Sequence, residues 1–177
     1  MEKVTGRPKN CVEREPVEVA VYDLLDSLSV EYERVDHSPV MTMEECEAID
    51  EALGVVMCKN LFLRNKPKTE HYLVLLPADK SFDSKAFSKQ TDYAKVSFAK
   101  GDALEQYLHI HPGAVTVMGL MNDADNLVKL VIDKEIENSE YIGFHPCVNT
   151  SSLKVRVADL LEKILPAIHH TYVTVEL

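Results

Sequence analysis

Two stretches of this 177-residue chain put chemically capable side chains where a purely structural sequence would place apolar ones. In Cys58-Lys59-Asn60-Leu61-Phe62-Leu63 a lysine and an amide open an apolar strand, and alternation alone would send part of it into the core. A cation there needs a partner, or it is a strand-end lysine reaching back to solvent along its own methylenes. In Phe144-His145-Pro146-Cys147-Val148-Asn149-Thr150-Ser151-Ser152 a polar, hydroxyl-rich loop directly follows a strand. Such a loop carries either ligands or turns, and both readings stay open at this point.

Other reactive residue types are present without a diagnostic arrangement. His109 and His111 are two apart, as are His145 and Cys147, so a metal site built from both pairs is conceivable. Pro146-Cys147 is similar to the start of the zinc-deaminase P-C-x-x-C, but Thr150 stands where the second cysteine is needed and no H-x-E precedes it. Cys147 as a nucleophile has no base at a telling spacing. Cys46 falls within an amphipathic helix, and His169 and His170 follow one. The G-x-S-x-G elbow, the P-loop, the dinucleotide glycine fingerprint and H-E-x-x-H are absent from the sequence, which removes those enzyme classes.

The elements that must position these residues are readable from spacing. Pro16 followed by Val17, Val21, Leu24, Leu25 and Leu28 predicts a first helix with proline in its opening turn, and 31–36 alternates as a strand. Thr42 and Glu45 have capping-box spacing, so a helix over 43–53 is expected, stopped by Gly54. Residues 55–64 and 71–76, separated by Asn65-Lys66-Pro67-Lys68, read as a hairpin. A short helix over 84–90 and a strand at 96–98 follow, then a helix through Leu108 opened by Asp102 and Glu105. Strands are expected at 115–120, 127–132 and 141–144, a helix at 157–165 ending at Pro166, and a last strand at 172–175. Connections between successive strands look too short for parallel crossovers. The expectation is therefore one domain over 1–177 of mixed α/β (α+β) class, with a largely antiparallel, barrel-like sheet surrounded by helices.

Composition is that of a folded globular chain, 46% hydrophobic and 27% charged. No apolar run reaches the roughly 20 residues of a membrane span, and the opening ten residues lack a secretory core, so a cytoplasmic location is expected. Four widely spaced cysteines without a CxxC pair suit reduced thiols. The net charge of −10 argues against generic nucleic-acid binding. It is unevenly spread: residues 59–100 hold 9 basic and 4 acidic groups, while both flanks are acidic. That basic middle is either a solvated face or a local attraction for a few phosphates.

Four motifs occur in order: His37-Ser38-Pro39-Val40-Met41-Thr42; Lys59-Asn60-Leu61-Phe62-Leu63; Gly113-Ala114-Val115-Thr116 with Gly119 and Asn122-Asp123; and Phe144-His145-Pro146 with Asn149-Thr150. They resemble the H-x-P-V-x-T segment, the K-N-L-F-L strand, the G-x-V-T loop with its N-D turn and the F-H-P-x-x-N-T segment of the YbaK/prolyl-tRNA-synthetase-associated editing domains, and within them of the free-standing Ala-tRNA(Pro) deacylases of the PrdX/ProX type.

The resemblance implies the family's fold and hydrolysis of the ester between a wrong amino acid and tRNA(Pro), with no metal and no cofactor. It implies Lys59 as the residue needed for deacylation, as an electrostatic anchor with no acceptor of its own. The attacking water would be assisted by the substrate's own ribose hydroxyl. Asn60, Gly113, Thr116, His145 and Asn149 would line the substrate pocket, with Pro39, Val40 and Met41 as the wall that admits alanine and excludes proline. Lys66, Lys68, Lys80 and Lys85 are the candidate tRNA contacts. The partner implied is the acceptor end of aminoacylated tRNA(Pro), with prolyl-tRNA synthetase or an elongation factor as further candidates. Val117-Met118 stand where many relatives have proline and an aromatic, and Met41 where phenylalanine is frequent. Cysteine or another small residue therefore stays open as the amino acid removed, as does a non-catalytic tRNA-binding or regulatory relative.

Overall fold

A computed structural model describes residues 1–40, 43–93 and 95–177. The expected capping residue Thr42 and the expected wall residue Met41 lie outside the described residues. Two sheets carry the fold. One orders β1 (Lys3–Thr5), β2 (Tyr32–Asp36), β8 (Ser151–Arg156) and β7 (Tyr141–Phe144), all antiparallel. The other orders β5 (Val96–Phe98), β3 (Lys59–Asn65), β4 (His71–Leu76), β6 (Val128–Asp133) and β9 (Tyr172–Val175).

The expected hairpin is present, with Lys59 opposite Leu76 and Arg64 opposite His71. Two pairings correct the sequence reading, because β4–β6 and β6–β9 are parallel. Their connections skip intervening strands and are long enough for crossovers, a possibility hidden when only consecutive strands are compared. β4 is buried along its whole length, as a central strand covered on both faces must be.

The barrel-like expectation is also corrected. Among the described residues the sheets are open and meet at one isolated parallel bridge, Met57 to Gly143, beside the Cys58 N–H donating to Gly143 O at 3.0 Å. The fold is nonetheless mixed α/β, with helices against both sheets.

Helix α1 (Pro16–Ser27) has Pro16 in its first turn and buries Val21, Tyr22 and Leu25. Helix α2 (Met43–Leu53) ends where Gly54 adopts φ +66°, its N–H donating to Asp50 O at 2.8 Å. Helix α3 (Ser84–Thr91) is capped by Asp83, which accepts from the Lys85 and Ala86 N–H groups. Helix α4 (Gly101–Leu108) starts after Lys100, one residue ahead of the expected Asp102 cap; Asp102 Oδ1 instead accepts from the adjacent Ala103 N–H.

The expected strand over 115–120 is a 3₁₀ turn, Val117–Asn122, whose first four residues are buried. A short run that is apolar on every side has no period to separate turn from strand. The short helix α5 (Lys134–Glu137) follows β6. The final helical segment, 157–167, passes through a π turn at Leu160–Ile164 before Pro166, whose missing N–H cannot serve an ordinary helical bond.

The largest apolar cluster joins α1 residues Val21, Tyr22 and Leu25 to Leu153 and Val155 of the first sheet and to Phe62, Leu73, Leu75, Leu130 and Ile132 of the second. On the opposite face of the second sheet, Leu63, Tyr72, Val74, Leu76 and Val131 pack on Phe87 of α3. Val35 of the first sheet packs against Ile49 and Leu53 of α2.

Candidate active site

The seam between the sheets is where the distant motifs meet. Cys58 and Met57 reach Gly143, so Lys59 and His145 each lie two residues beyond bridged positions. Alternation then divides the pair of polar residues that opens β3. Asn60 shares the face of Cys58 and Phe62 in the main core, its amide Nδ2 donating to Cys58 O (3.2 Å) and Sγ (3.3 Å). Its Oδ1 is buried without a hydrogen-bond partner. Lys59 shares the face of Leu61 and Leu63, and its Nζ donates to Lys80 O at 2.8 Å rather than to any group around His145.

His145 ends β7 in a built hydrogen-bond setting. Nδ1 lies 2.9 Å from Ser151 O and 3.3 Å from Ser152 Oγ. A carbonyl only accepts, so Nδ1 carries the proton and the neutral ring leaves Nε2 as an acceptor. Burial lowers the His145 pKa, with His37 adding to the shift and the Ser151 carbonyl opposing it. The ring is therefore neutral near pH 7.

Thr116 Oγ1 donates to His145 O at 2.7 Å while accepting from the Met118 N–H, which ties the Gly113–Thr116 segment to the His145 loop. Gly113, at φ +94°, needs the freedom of glycine, and a Cβ placed on it would stand 3.8 Å from Asn149 Nδ2. Thr116, His145, Gly113 and Asn149 are thus brought together.

Sequence reading named His37 only as part of a motif, whereas the structure links it to His145. His37 Nδ1 donates to Ser38 O (2.8 Å), leaving Nε2 to accept from Ser152 Oγ at 2.9 Å. The result is an oriented chain from His145 through buried Ser152 to His37, with the two rings 6.1 Å apart. Its partner Ser151 lies 3.4 Å from the Tyr22 hydroxyl, which donates to buried Glu18. No signal local to Ser152 announced this, because the pairing spans 115 residues. Ser152→Ala removes the bridge and is expected to lower kcat/KM about tenfold, the worth of one lost orienting hydrogen bond. Steady-state deacylation rates check it, and unchanged rates would show that His37 is idle.

The remaining expected residues are more scattered. Pro39 is exposed, and half-buried Val40 packs on the cluster of Val35, Ile49 and Leu53 together with Val55 and Met57. An apolar cavity of about 460 Å³ lies beside the same seam, lined by Met57, Cys58, Pro77, Ile136, Tyr141 and Ile142 among others. Lys66 and Lys68 are exposed at the far end of the hairpin, and Lys85 is exposed on α3. Lys80 changes role. Its ammonium is shared by Asp133 (3.0 Å) and Glu135 (2.7 Å), so its charge is neutralised inside the fold and it leaves the set of phosphate contacts.

Burial pushes the thiols of Cys58 and Cys147 up to about 12, so neither is a thiolate near neutrality. Cys147 also holds φ +63°, a left-handed backbone uncommon outside glycine, at the centre of the His145 loop. Among the described residues no group of three or more His, Cys, Asp or Glu is arranged to hold a metal.

The sequence profile of the aminoacyl-tRNA editing domain matches residues 37–163, a span that begins at His37 and includes every residue of the seam. The chain is 37% identical over 158 residues to the prolyl-tRNA editing protein ProX of Acetoanaerobium sticklandii, covering 89% of this chain and 96% of that one. It is 29% identical over 151 residues to prolyl-tRNA synthetase associated domain-containing protein 1 of Danio rerio, covering 84% and 81%. In structure it resembles a proposed trans-editing enzyme for prolyl-tRNA synthetase, with a TM-score of 0.66, 10% identity and coverage of 92% and 98%, a likeness of fold. The chain belongs to the aminoacyl-tRNA editing domain family, whose members are hydrolases that cleave the ester joining an amino acid to tRNA.

Proposed function

We propose that this deacylase acts in trans on mischarged tRNA(Pro) and that alanine is the amino acid it removes. The observation that carries the reading is the seam itself, where a lysine and a buried, unpartnered amide oxygen stand next to the bridge leading into His145. An acceptor kept dry and unpaired costs stability unless a ligand satisfies it. Asn60 Oδ1 suits a donor of the substrate, either the α-ammonium of the amino acid or a ribose hydroxyl.

Hydrolysis adds water across the ester. Water attacks the carbonyl carbon, the bond to the ribose oxygen breaks, and that oxygen leaves carrying a proton. Lys59 stabilises the charge that develops on the carbonyl oxygen or holds the terminal phosphate, and cannot accept the water's proton while charged. Backbone N–H groups of the Gly113 turn complete the electrostatic hole. The neighbouring ribose hydroxyl assists the water. His145, neutral with Nδ1–H fixed, orients the substrate through Nε2.

Selectivity is a matter of size, since a synthetase built for proline discriminates a slightly smaller amino acid by only about 1–3 kcal/mol. A second, smaller pocket, with Pro39 and Val40 as candidates for its wall, admits alanine and rejects the proline ring. Side-by-side deacylation of Ala-, Cys-, Ser- and Pro-tRNA(Pro) tests this. Alanine is expected to leave about 100-fold faster than proline. Faster loss of cysteine would reassign the substrate, and no loss of any amino acid would leave a binding module.

A further inference from the structure

We propose that the cleft between the far end of the β3–β4 hairpin and the start of α4 seats backbone phosphates of the RNA whose 3′ end enters the active site. The identity of that RNA rests on the editing assignment above; the affinity for phosphate rests on the cleft alone. The hollow measures about 170 Å³ and is lined by Arg64, Lys68, His71, Lys100, Asp102 and Tyr107 among others.

Its cations lack the carboxylate partners that hold about half of the basic groups in this acidic chain. Lys3, Arg7, Arg14, Arg34, Lys80, Lys129, Lys134, Lys154 and Lys163 each have a carboxylate at ion-pair distance. Arg64, Lys68 and Lys100 have none among the described residues, although the chain holds 29 acidic groups to 19 basic ones. The hydrogen bond of the Arg64 guanidinium goes to a backbone carbonyl, Asn65 O, at 3.3 Å. Asp102, the acid on the rim, accepts from the Ala103 N–H instead. Three unpaired cations around one hollow repel each other, and a phosphate entering it relieves that repulsion.

The floor is rigid. The His71 ring lies 4.3 Å from Tyr107 and 5.5 Å from Phe62, and burial together with the Arg64 charge keeps it neutral. Helix α4 begins at this cleft without a side-chain cap, adding the positive end of its dipole.

The cleft is also correctly placed. Asn60, Phe62 and Arg64 alternate onto one face of β3, so the hollow and the unpaired Asn60 amide lie along the same face, about 14 Å apart at strand spacing. From its other wall, α4 leads the chain towards the Gly113–Thr116 turn of the active site. A strand of RNA held by its phosphates in the cleft would reach the seam with its last few nucleotides.

The test uses an uncharged acceptor-stem RNA hairpin and the double variant Arg64→Gln/Lys100→Gln, whose folding is checked by its melting curve. Fluorescence anisotropy between about 50 and 200 mM salt is expected to show affinity reduced at least about tenfold, and a log K against log salt slope shallower by about 1.5. The variant Lys9→Gln/Lys89→Gln, which removes two exposed cations outside the cleft, should leave both unchanged. Equal losses in the two variants, or none in the first, overturn the proposal. So would inorganic phosphate that stabilises the wild type but not the double variant while RNA affinity is the same in both, since the cleft would then belong to a free anion. Hydrolysis of alanyl-adenosine, which has no backbone phosphate, should be unaffected by Arg64→Gln/Lys100→Gln. If RNA binding falls as expected while the wild type hydrolyses no aminoacyl ester, the cleft stands and the editing reading fails.

Discussion

Lys59→Met is expected to reduce the rate of Ala-tRNA(Pro) deacylation by about 10²–10³-fold, the range found when one donor to a developing oxyanion is removed. Methionine keeps an unbranched stem of similar length on the strand face that Lys59 shares with Leu61, so the change isolates the ammonium from the stem. In the resting structure Nζ donates to Lys80 O, one of the three bonds an ammonium can make, and the other two donors are what the substrate would use. Single-turnover hydrolysis at saturating enzyme separates the chemical step from RNA binding. A wild-type rate in Lys59→Met would remove this residue from the mechanism, and the seam would have to work through Asn60 and the Gly113 turn alone. Lys59→Arg should restore little, because a planar guanidinium cannot reproduce a point charge hung from the same carbonyl.

The second large effect is expected at a residue remote from the motifs. Asp133 is fully buried and accepts from Lys80 Nζ at 3.0 Å, from the Glu135 N–H at 2.9 Å and from the Leu177 N–H at 3.0 Å. Asp133→Ala strands the Lys80 ammonium with only exposed Glu135 and orphans two backbone donors, a loss of about 3 kcal/mol. For a chain of this size that corresponds to a melting temperature lower by about 6–12 °C.

Because the Lys80 carbonyl holds Lys59, the same change should loosen the ammonium and lower kcat by about tenfold at temperatures where the variant is still folded. Lys80→Met reaches the same turn from the other side: it leaves the fully buried Asp133 carboxylate with backbone donors but no cation, a comparable loss of about 3 kcal/mol, and likewise frees the turn that carries the carbonyl. A variant at either position that melts lower but turns over like wild type would show that the cluster stabilises the fold without positioning Lys59.

These two predictions differ in how much of them could be seen beforehand. Lys59 was visible because a charged residue opening an apolar strand violates a local pattern, and local patterns survive without coordinates. The hairpin that follows it, α1 with Pro16 in its first turn and the Gly54 stop of α2 were legible for the same reason. Lys80 was not: in the sequence it is one lysine of a basic stretch, and its partners lie 53 and 55 residues away. β8 was hidden inside a polar loop because Ser151 and Ser152 are poor strand signals. They are nevertheless buried against Tyr22 and His37, and it is tertiary hydrogen bonding that satisfies them.

What the sequence determined by itself is the set of reacting groups and the local geometry that follows from spacing: which residues alternate on a strand, where a helix must stop, which turn requires glycine. Only the tertiary structure decided that the two sheets stay open and touch at Met57 and Gly143, and that Lys59 and Asn60 face opposite ways there. It also decided that one cation of the basic stretch is spent on a buried carboxylate while Arg64, Lys68 and Lys100 are left unpaired among the described residues. The reason is range. Backbone propensity and periodicity act over a few residues, whereas charge pairing and the burial of polar groups depend on neighbours that only chain folding brings within a few ångströms.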